Sequence, residues 1–187
     1  MTRQSIKLPA AIVRAACLFQ AKADVRYYLV GIQLNNTGCI VATNGHVLIK
    51  IDHEPLKDLE ESLIVRIHGT KIPQKAHELE FVFLDDVRGV VRMYNGHGAL
   101  MDDVRGFESV ESEFPDHSRA MPKGGLSEVR EIGINPHYMD IISKAQNELG
   151  FKQSGVGLKF RGQHSAIEVN FKSPEYSAIA VVMPMRL

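Results

Sequence analysis

Tyr176-Ser177-Ala178-Ile179-Ala180-Val181-Val182-Met183-Pro184-Met185-Arg186-Leu187 is the stretch from which the rest of the chain is most readily read. Its first eight residues are rich in β-branched and small apolar side chains, the composition of a strand, and Pro184 stops that strand because proline has no N–H to give a sheet ladder. Met185 and Leu187 then stand just past a sheet edge, where a chain end is ordinarily polar and frayed. Two uses suit such a tail. It closes the chain's own core, or it forms one wall of an adaptable apolar pocket, a role that the flexible methionine thioether serves well.

Working back from this strand, residues 156–161 and 165–171 read as two more strands. They are preceded by a helix with Asn135 as N-cap, Pro136 at its first position and Gly150 as stop signal. Tyr138, Ile141, Ile142, Ala145 and Leu149 line one side of that helix. A strand is expected near Val129–Ile134, which makes the block βαβββ. The N-terminal block repeats the order. A strand is followed by a helix that Pro9 opens, with Ile12, Val13, Ala16, Cys17 and Phe19 at helical spacing, and then by strands near 26–34, 38–43 and 46–52. Asn35-Asn36-Thr37-Gly38 and Asn44-Gly45 supply the hairpin turns. Between the blocks, 63–67, 79–84, 90–94 and 99–102 read as strands, and the helix slot at Ile72–Glu78 holds at most two turns. Asn-Gly-His occurs at 44–46 and 95–97, and Gly162-Gln163-His164 occupies the same hairpin position in the last block. The pattern is that of three degenerate copies of one unit.

The 187 residues, 44% hydrophobic and 24% charged, suffice for one sizeable core. No secretory signal and no apolar run of about 20 residues is found, so a cytoplasmic protein without a membrane partner is expected. Cys17 and Cys39 lack neighbouring ligand residues and read as free buried thiols. The net charge is zero but unevenly spread: +4 over residues 1–34, −8 over 52–116 and +3 over 117–187. Such a distribution suits a molecule with one face toward a polyanion, and it also suits a solvated charge mosaic. The eight histidines come without HExxH, paired cysteine ligands, GxGxxG or a Walker loop. Asp85-Asp86 and Asp102-Asp103 read as solvated pairs. Neither an enzyme, nor a metal site, nor a cofactor is expected.

Four segments resemble, in order, the bacterial DNA polymerase III β sliding clamp family. Asp24–Ile32 resembles a middle-domain strand, and Val41-Ala42-Thr43-Asn44-Gly45-His46-Val47-Leu48 resembles the ATDGHRL hairpin. Phe114–Pro122 resembles the linker to the last domain, and Val181–Leu187 resembles the C-terminus. Asn44 stands where the family has Asp, and His117-Ser118 replace a Tyr-Arg pair. The resemblance implies an α+β DNA clamp fold of repeated βαβββ units, with antiparallel sheets outside and helices on one face. Residues 1–60 would correspond to the first half of a middle domain, 61–116 to a divergent β-rich unit, and 117–187 to the last half of a final domain.

The same resemblance implies a non-enzymatic processivity factor that encircles or tethers duplex DNA without reading sequence and holds short clamp-binding peptides of polymerase, clamp loader or repair proteins. A homo-oligomer, tetramer or hexamer, would close the ring near the nucleoid. The alternative is a monomeric clamp mimic, adaptor or decoy, that binds the peptides alone. The implied peptide cleft comprises Leu29, Thr43, His46 and Leu48 on one wall and Pro115, Arg119 and Ala120 at the hinge. Val181, Val182, Met183, Pro184, Met185, Arg186 and Leu187 form its closing wall. The implied DNA face comprises Arg14, Lys22, Arg26, Tyr27, Lys144 and Lys152.

Overall fold

The computed structural model describes residues 5–69, 71–150 and 154–186. Strand β1 (Ile6–Pro9) runs straight into helix α1 (Ala10–Cys17). Pro9 is the extended residue at the junction, φ −57° and ψ 129°, rather than the first helical one. It suits that place because its fixed φ fits both conformations. Ala10, Ile12, Val13, Ala15 and Ala16 of α1 are all buried, so small side chains let the helix pack on more than one side. The expected strand from residue 26 starts later. Tyr27–Val30 makes a 3-10 turn, and β2 begins at Ile32. Gly31 separates them where an added Cβ would stand 2.8 Å from the Ile64 side chain and 3.0 Å from the Val65 carbonyl oxygen.

Strands β2 (Ile32–Asn35), β3 (Cys39–Thr43) and β4 (Val47–Asp52) follow through the two expected turns. Asn44 makes the second turn: its Oδ1 accepts the backbone N–H of His46 (2.9 Å) and of Val47 (3.0 Å), while Gly45 takes φ +90°. The middle of the chain gives β5 (Leu63–Ile67), β6 (Ala76–Phe83), β7 (Arg88–Asn95) and β8 (Leu100–Ser109). The helix slot at 72–78 resolves into a single turn, with the Ala76 N–H on the Pro73 carbonyl at 3.1 Å. The last block is α2 (Pro136–Leu149) followed by β9 (Gly157–Lys159), β10 (Ile167–Asn170) and β11 (Ala178–Val182). Asn135 caps α2 by accepting the His137 N–H at 2.9 Å. No strand forms over 129–134. Gly133 alone bridges to Met185, beyond the proline that ends the β11 ladder.

The eleven strands of the described residues lie in one antiparallel sheet in the order β1-β6-β7-β8-β5-β2-β3-β4-β11-β10-β9. The central seam pairs β4 with β11, Leu48 opposite Val181 and Val47 opposite Val182, which joins the N-terminal block to the C-terminal one. Alternation then sorts the side chains. Ile40, Ala42, Ile49, Ile51, Ala180 and Val182 belong to the main core, together with residues of both helices. Cys39, Val41, Leu48 and Val181 point the other way, into a second cluster closed by Ile64 and Phe114. Strand β3 is buried throughout because both of its faces are covered. The fold is thus α+β, an antiparallel sheet with two helices packed against each other on one face. Among the described residues no helix is long and apolar enough to cross a membrane.

Candidate functional site

The chain segment after β8 crosses the outer face of the sheet. Phe114, only 8% exposed, plugs it down against the second cluster, and Val110, Ala120 and Met121 pack beside it. Asp116 then caps a 3-10 turn, His117–Arg119, by accepting the Ser118 N–H at 3.0 Å. His117 is half-buried near Lys50, and burial with that neighbouring cation lowers its pKa although Asp116 opposes the shift. Past this turn the segment stands off the sheet. The gap it leaves is a groove of about 540 Å³.

The floor of the groove is the cross-strand row Thr43, Leu48 and Val181. The Thr43 hydroxyl is occupied within the hairpin, donating to the Val47 carbonyl (2.7 Å) and accepting the Gly45 N–H (3.0 Å). One wall is the hairpin tip with His46, and the facing wall is Arg119 through Lys123. Met183, 48% exposed, closes one end, held in place by its N–H on the His46 carbonyl at 2.9 Å. A smaller hollow of about 170 Å³ lies beyond, lined by Gly133, Gln163, His164, Met185 and Arg186. The N–H of Met185 bonds the Gly133 carbonyl at 2.8 Å, so the C-terminal segment runs as a docked ridge with a hollow on each side.

Of the residues expected at this cleft, Thr43, His46, Leu48, Arg119, Ala120, Val181 and Met183 line the main groove, and Met185 and Arg186 the smaller one. Four do not line either. Leu29 is buried at 1% exposure inside the 3-10 turn, its N–H on the Arg26 carbonyl and its carbonyl on the Ala21 N–H. Val182 faces the main core by strand alternation. Pro115 sits exposed on the outside of the linker, and Pro184 lies between the two hollows. Leu187 is outside the described residues. The groove also takes in Met121, Pro122 and Lys123, which continue the linker, and Ser165 and Ala166. The last pair carried no signal in sequence, because only the docking of β10 on β11 brings them there.

The residues expected to face DNA are differently placed. Arg14 is not a free surface cation. Its Nε bonds Glu148 of α2 at 2.6 Å, its Nη1 bonds the Pro73 and Ala76 carbonyls, and its side chain is 12% exposed. It therefore ties α1 to α2 and to the turn before β6. Lys144 is exposed but paired with Asp140 one turn earlier, at 2.5 Å. Arg26 is half-exposed and grips Asp24 with two nitrogens, at 2.8 and 3.0 Å, which holds that carboxyl down to about 2. Lys22 is exposed after α1, and Tyr27 is exposed at the start of the 3-10 turn. Lys152 is outside the described residues.

No family model matches the chain. The β sliding clamp of Pseudomonas putida is 26% identical over 166 residues, covering 85% of this chain and 43% of that protein. The chain is a homologue of the β sliding clamps. The β subunit of DNA polymerase from Streptococcus pyogenes superposes with a TM-score of 0.67 at 13% identity, covering 100% of this chain and 67% of that one. The DNA polymerase sliding clamp of Bacillus subtilis gives 0.62 at 12% identity, over 99% and 65%. This clamp homologue therefore has the clamp fold, and it spans less than half the length of the curated relatives it matches. Neither cysteine is in a disulfide: Cys39 is buried and Cys17 partly so, and burial pushes the Cys17 thiol up to about 12. Among the described residues no three His, Cys, Asp or Glu side chains gather as a metal would need.

Proposed function

We propose that this clamp homologue is a processivity-type tether: it holds linear peptides of replication or repair proteins in the groove between the β3–β4 hairpin, the linker and the C-terminal ridge, and it encircles or rides duplex DNA as a homo-oligomer. The observation that carries the peptide reading is the groove itself. Three segments far apart in sequence, 43–48, 119–123 and 181–183, meet over one apolar floor that no side chain of the described residues fills. Two or three buried apolar anchors contribute roughly 1.5–3 kcal/mol each, less the cost of ordering the peptide. The scale is micromolar, about −8 kcal/mol.

A peptide with glutamine, leucine and phenylalanine-type anchors tests this by fluorescence anisotropy. Micromolar binding is expected, and removal of Met183 through Leu187 abolishes it, since β11 already ends at Val182. Unchanged affinity after that truncation refutes the groove.

One observation favours the second reading, a peptide-binding mimic that encircles nothing. The cations expected on the two helices are neutralised within the chain, Arg14 by Glu148 and Lys144 by Asp140, leaving little free positive charge there to meet phosphates. Sedimentation mass and retention on circular DNA separate the two. A closed ring is a higher oligomer that stays on circles and slides off after linearisation; a mimic is a monomer or dimer that ignores DNA and competes with a full-length clamp for peptides.

A further inference from the structure

The groove has a sign. None of its lining residues is Asp or Glu, although the chain as a whole carries equal numbers of acids and bases. Arg119 and Lys123 stand on the linker wall, and His46 faces them from the hairpin. Three acids that adjoin lining residues, directly or through a partner, are already committed. Glu168, next to Val181 in the strand register, is taken by Lys159 at 2.8 Å and Arg161 at 2.7 Å, which hold its pKa down to about 2. Asp24 is taken by Arg26, whose guanidinium would lie 3.3 Å from a Cβ at Gly45 in the groove wall. Asp116 reaches Arg119 only at 3.4 Å, across a pair whose arginine side chain is 86% exposed, and an ion pair that open to water exchanges for another carboxylate at little cost.

Lys123 is exposed and makes no ion pair among the described residues. Its backbone is nonetheless fixed. Pro122 precedes it, and the Gly124 carbonyl that follows accepts the Arg161 Nε at 3.0 Å, with Arg161 anchored in turn to Glu168. An ammonium held at the mouth of an apolar groove, without a partner of its own, meets whatever charge the bound segment carries.

We propose that the groove selects acidic linear peptides, in which a carboxylate flanks the apolar anchors, and that Lys123, assisted by Arg119, reads that carboxylate. This rests on the peptide-binding reading of the same groove and adds its specificity. The partners it fits are the acidic, unstructured segments of other proteins, and the acidic block 52–116 of this chain does not line the groove.

Two dodecapeptides with the same apolar anchors test it, one with serines and one with aspartates flanking the anchors, titrated against the intact chain, against Lys123→Gln and against Lys123→Gln/Arg119→Gln. At 50 mM salt the aspartate peptide is expected to bind about five- to ten-fold tighter, as two solvent-exposed ion pairs allow. At 0.5 M salt the difference falls below about two-fold, and in the double variant the ratio of the two affinities falls to about one. Both side chains are exposed, so the variants fold, and unchanged thermal unfolding confirms it. Equal binding of the two peptides by the intact chain, or a preference that survives in the double variant, overturns the proposal and leaves the groove standing. Binding of neither peptide removes the groove reading itself, and the proposal with it. Displacement of the aspartate peptide by a short DNA duplex, lost in the double variant, overturns it in favour of a phosphate-reading site.

Discussion

Replacing Phe114 by alanine separates the construction of the groove from its lining, because Phe114 touches none of the groove's space yet holds down the wall that does. Its ring is 8% exposed and packs among Cys39, Val41, Leu48, Ile64 and Val181 on the outer face of the sheet. A fully enclosed Phe→Ala change costs about 3–5 kcal/mol. Here the site lies beneath a surface segment that is free to shift, so the loss is nearer the transfer value of about 2–3 kcal/mol. That energy is drawn from the docking of residues 110–121, whose other anchors, Val110, Ala120 and Met121, are only partly buried. A loss of this size shifts the docking equilibrium of the wall by roughly 30- to 140-fold at most, at about 1.4 kcal/mol per factor of ten. Peptide affinity is expected to fall about ten-fold or more. The main core keeps its packing, so far-ultraviolet circular dichroism is unchanged and urea unfolding remains cooperative. Anisotropy titration of the variant, well below its unfolding midpoint, is the assay. A folded Phe114→Ala chain that binds the peptide within two-fold of the parent shows that the linker is not what builds the groove.

Arg14→Ala is expected to destabilise the fold by about 2–3 kcal/mol in urea, since it removes a charge-assisted bond and two carbonyl bonds and leaves Glu148 only its bond from Gln74; an unchanged midpoint would return Arg14 to the surface. Gly89→Ala in β7 is expected to cost at least about 1–3 kcal/mol, because its Cβ would lie 2.4 Å from both the Phe107 ring and the Val82 carbonyl oxygen. A melting temperature equal to the parent's contradicts that packing. Glu168 is held to about 2, chiefly by its hydrogen bond from Lys159 and further by Asn170 and Arg161. Its folded pKa is below the ordinary value, so its contribution, roughly 2–3 kcal/mol, is present above about pH 5 and lost as pH falls toward 2. A pH series of urea midpoints shows this, and in Glu168→Gln that part of the acid dependence disappears.

Local chemistry in the sequence determined a good deal of this molecule. Pro136 behind an asparagine cap, Asn44-Gly45 at a hairpin and a β-branched run ended by Pro184 each act within a few residues, and each is found where it was expected. That the closing strand, the hairpin and the linker meet came only from their resemblance, in order, to the sliding-clamp family; local chemistry gave each piece and not their meeting. What the sequence did not contain was the partner of each side chain. Arg14 reads as a helix-surface cation until Glu148, 134 residues away, arrives on the neighbouring helix. Leu29 reads as a wall residue until the backbone after Asp24 curls into a 3-10 turn and folds it inward. The strand expected over 129–134 fails because an edge is made by the neighbour as much as by the strand, and Pro184 leaves that neighbour unable to continue the ladder. Lys123, Ser165 and Ala166 share a groove only because β11 pairs with β4 on one side and with β10 on the other. Burial, ion pairing and the sign of a groove are properties of pairs distant in sequence, and only the folded chain brings such pairs together.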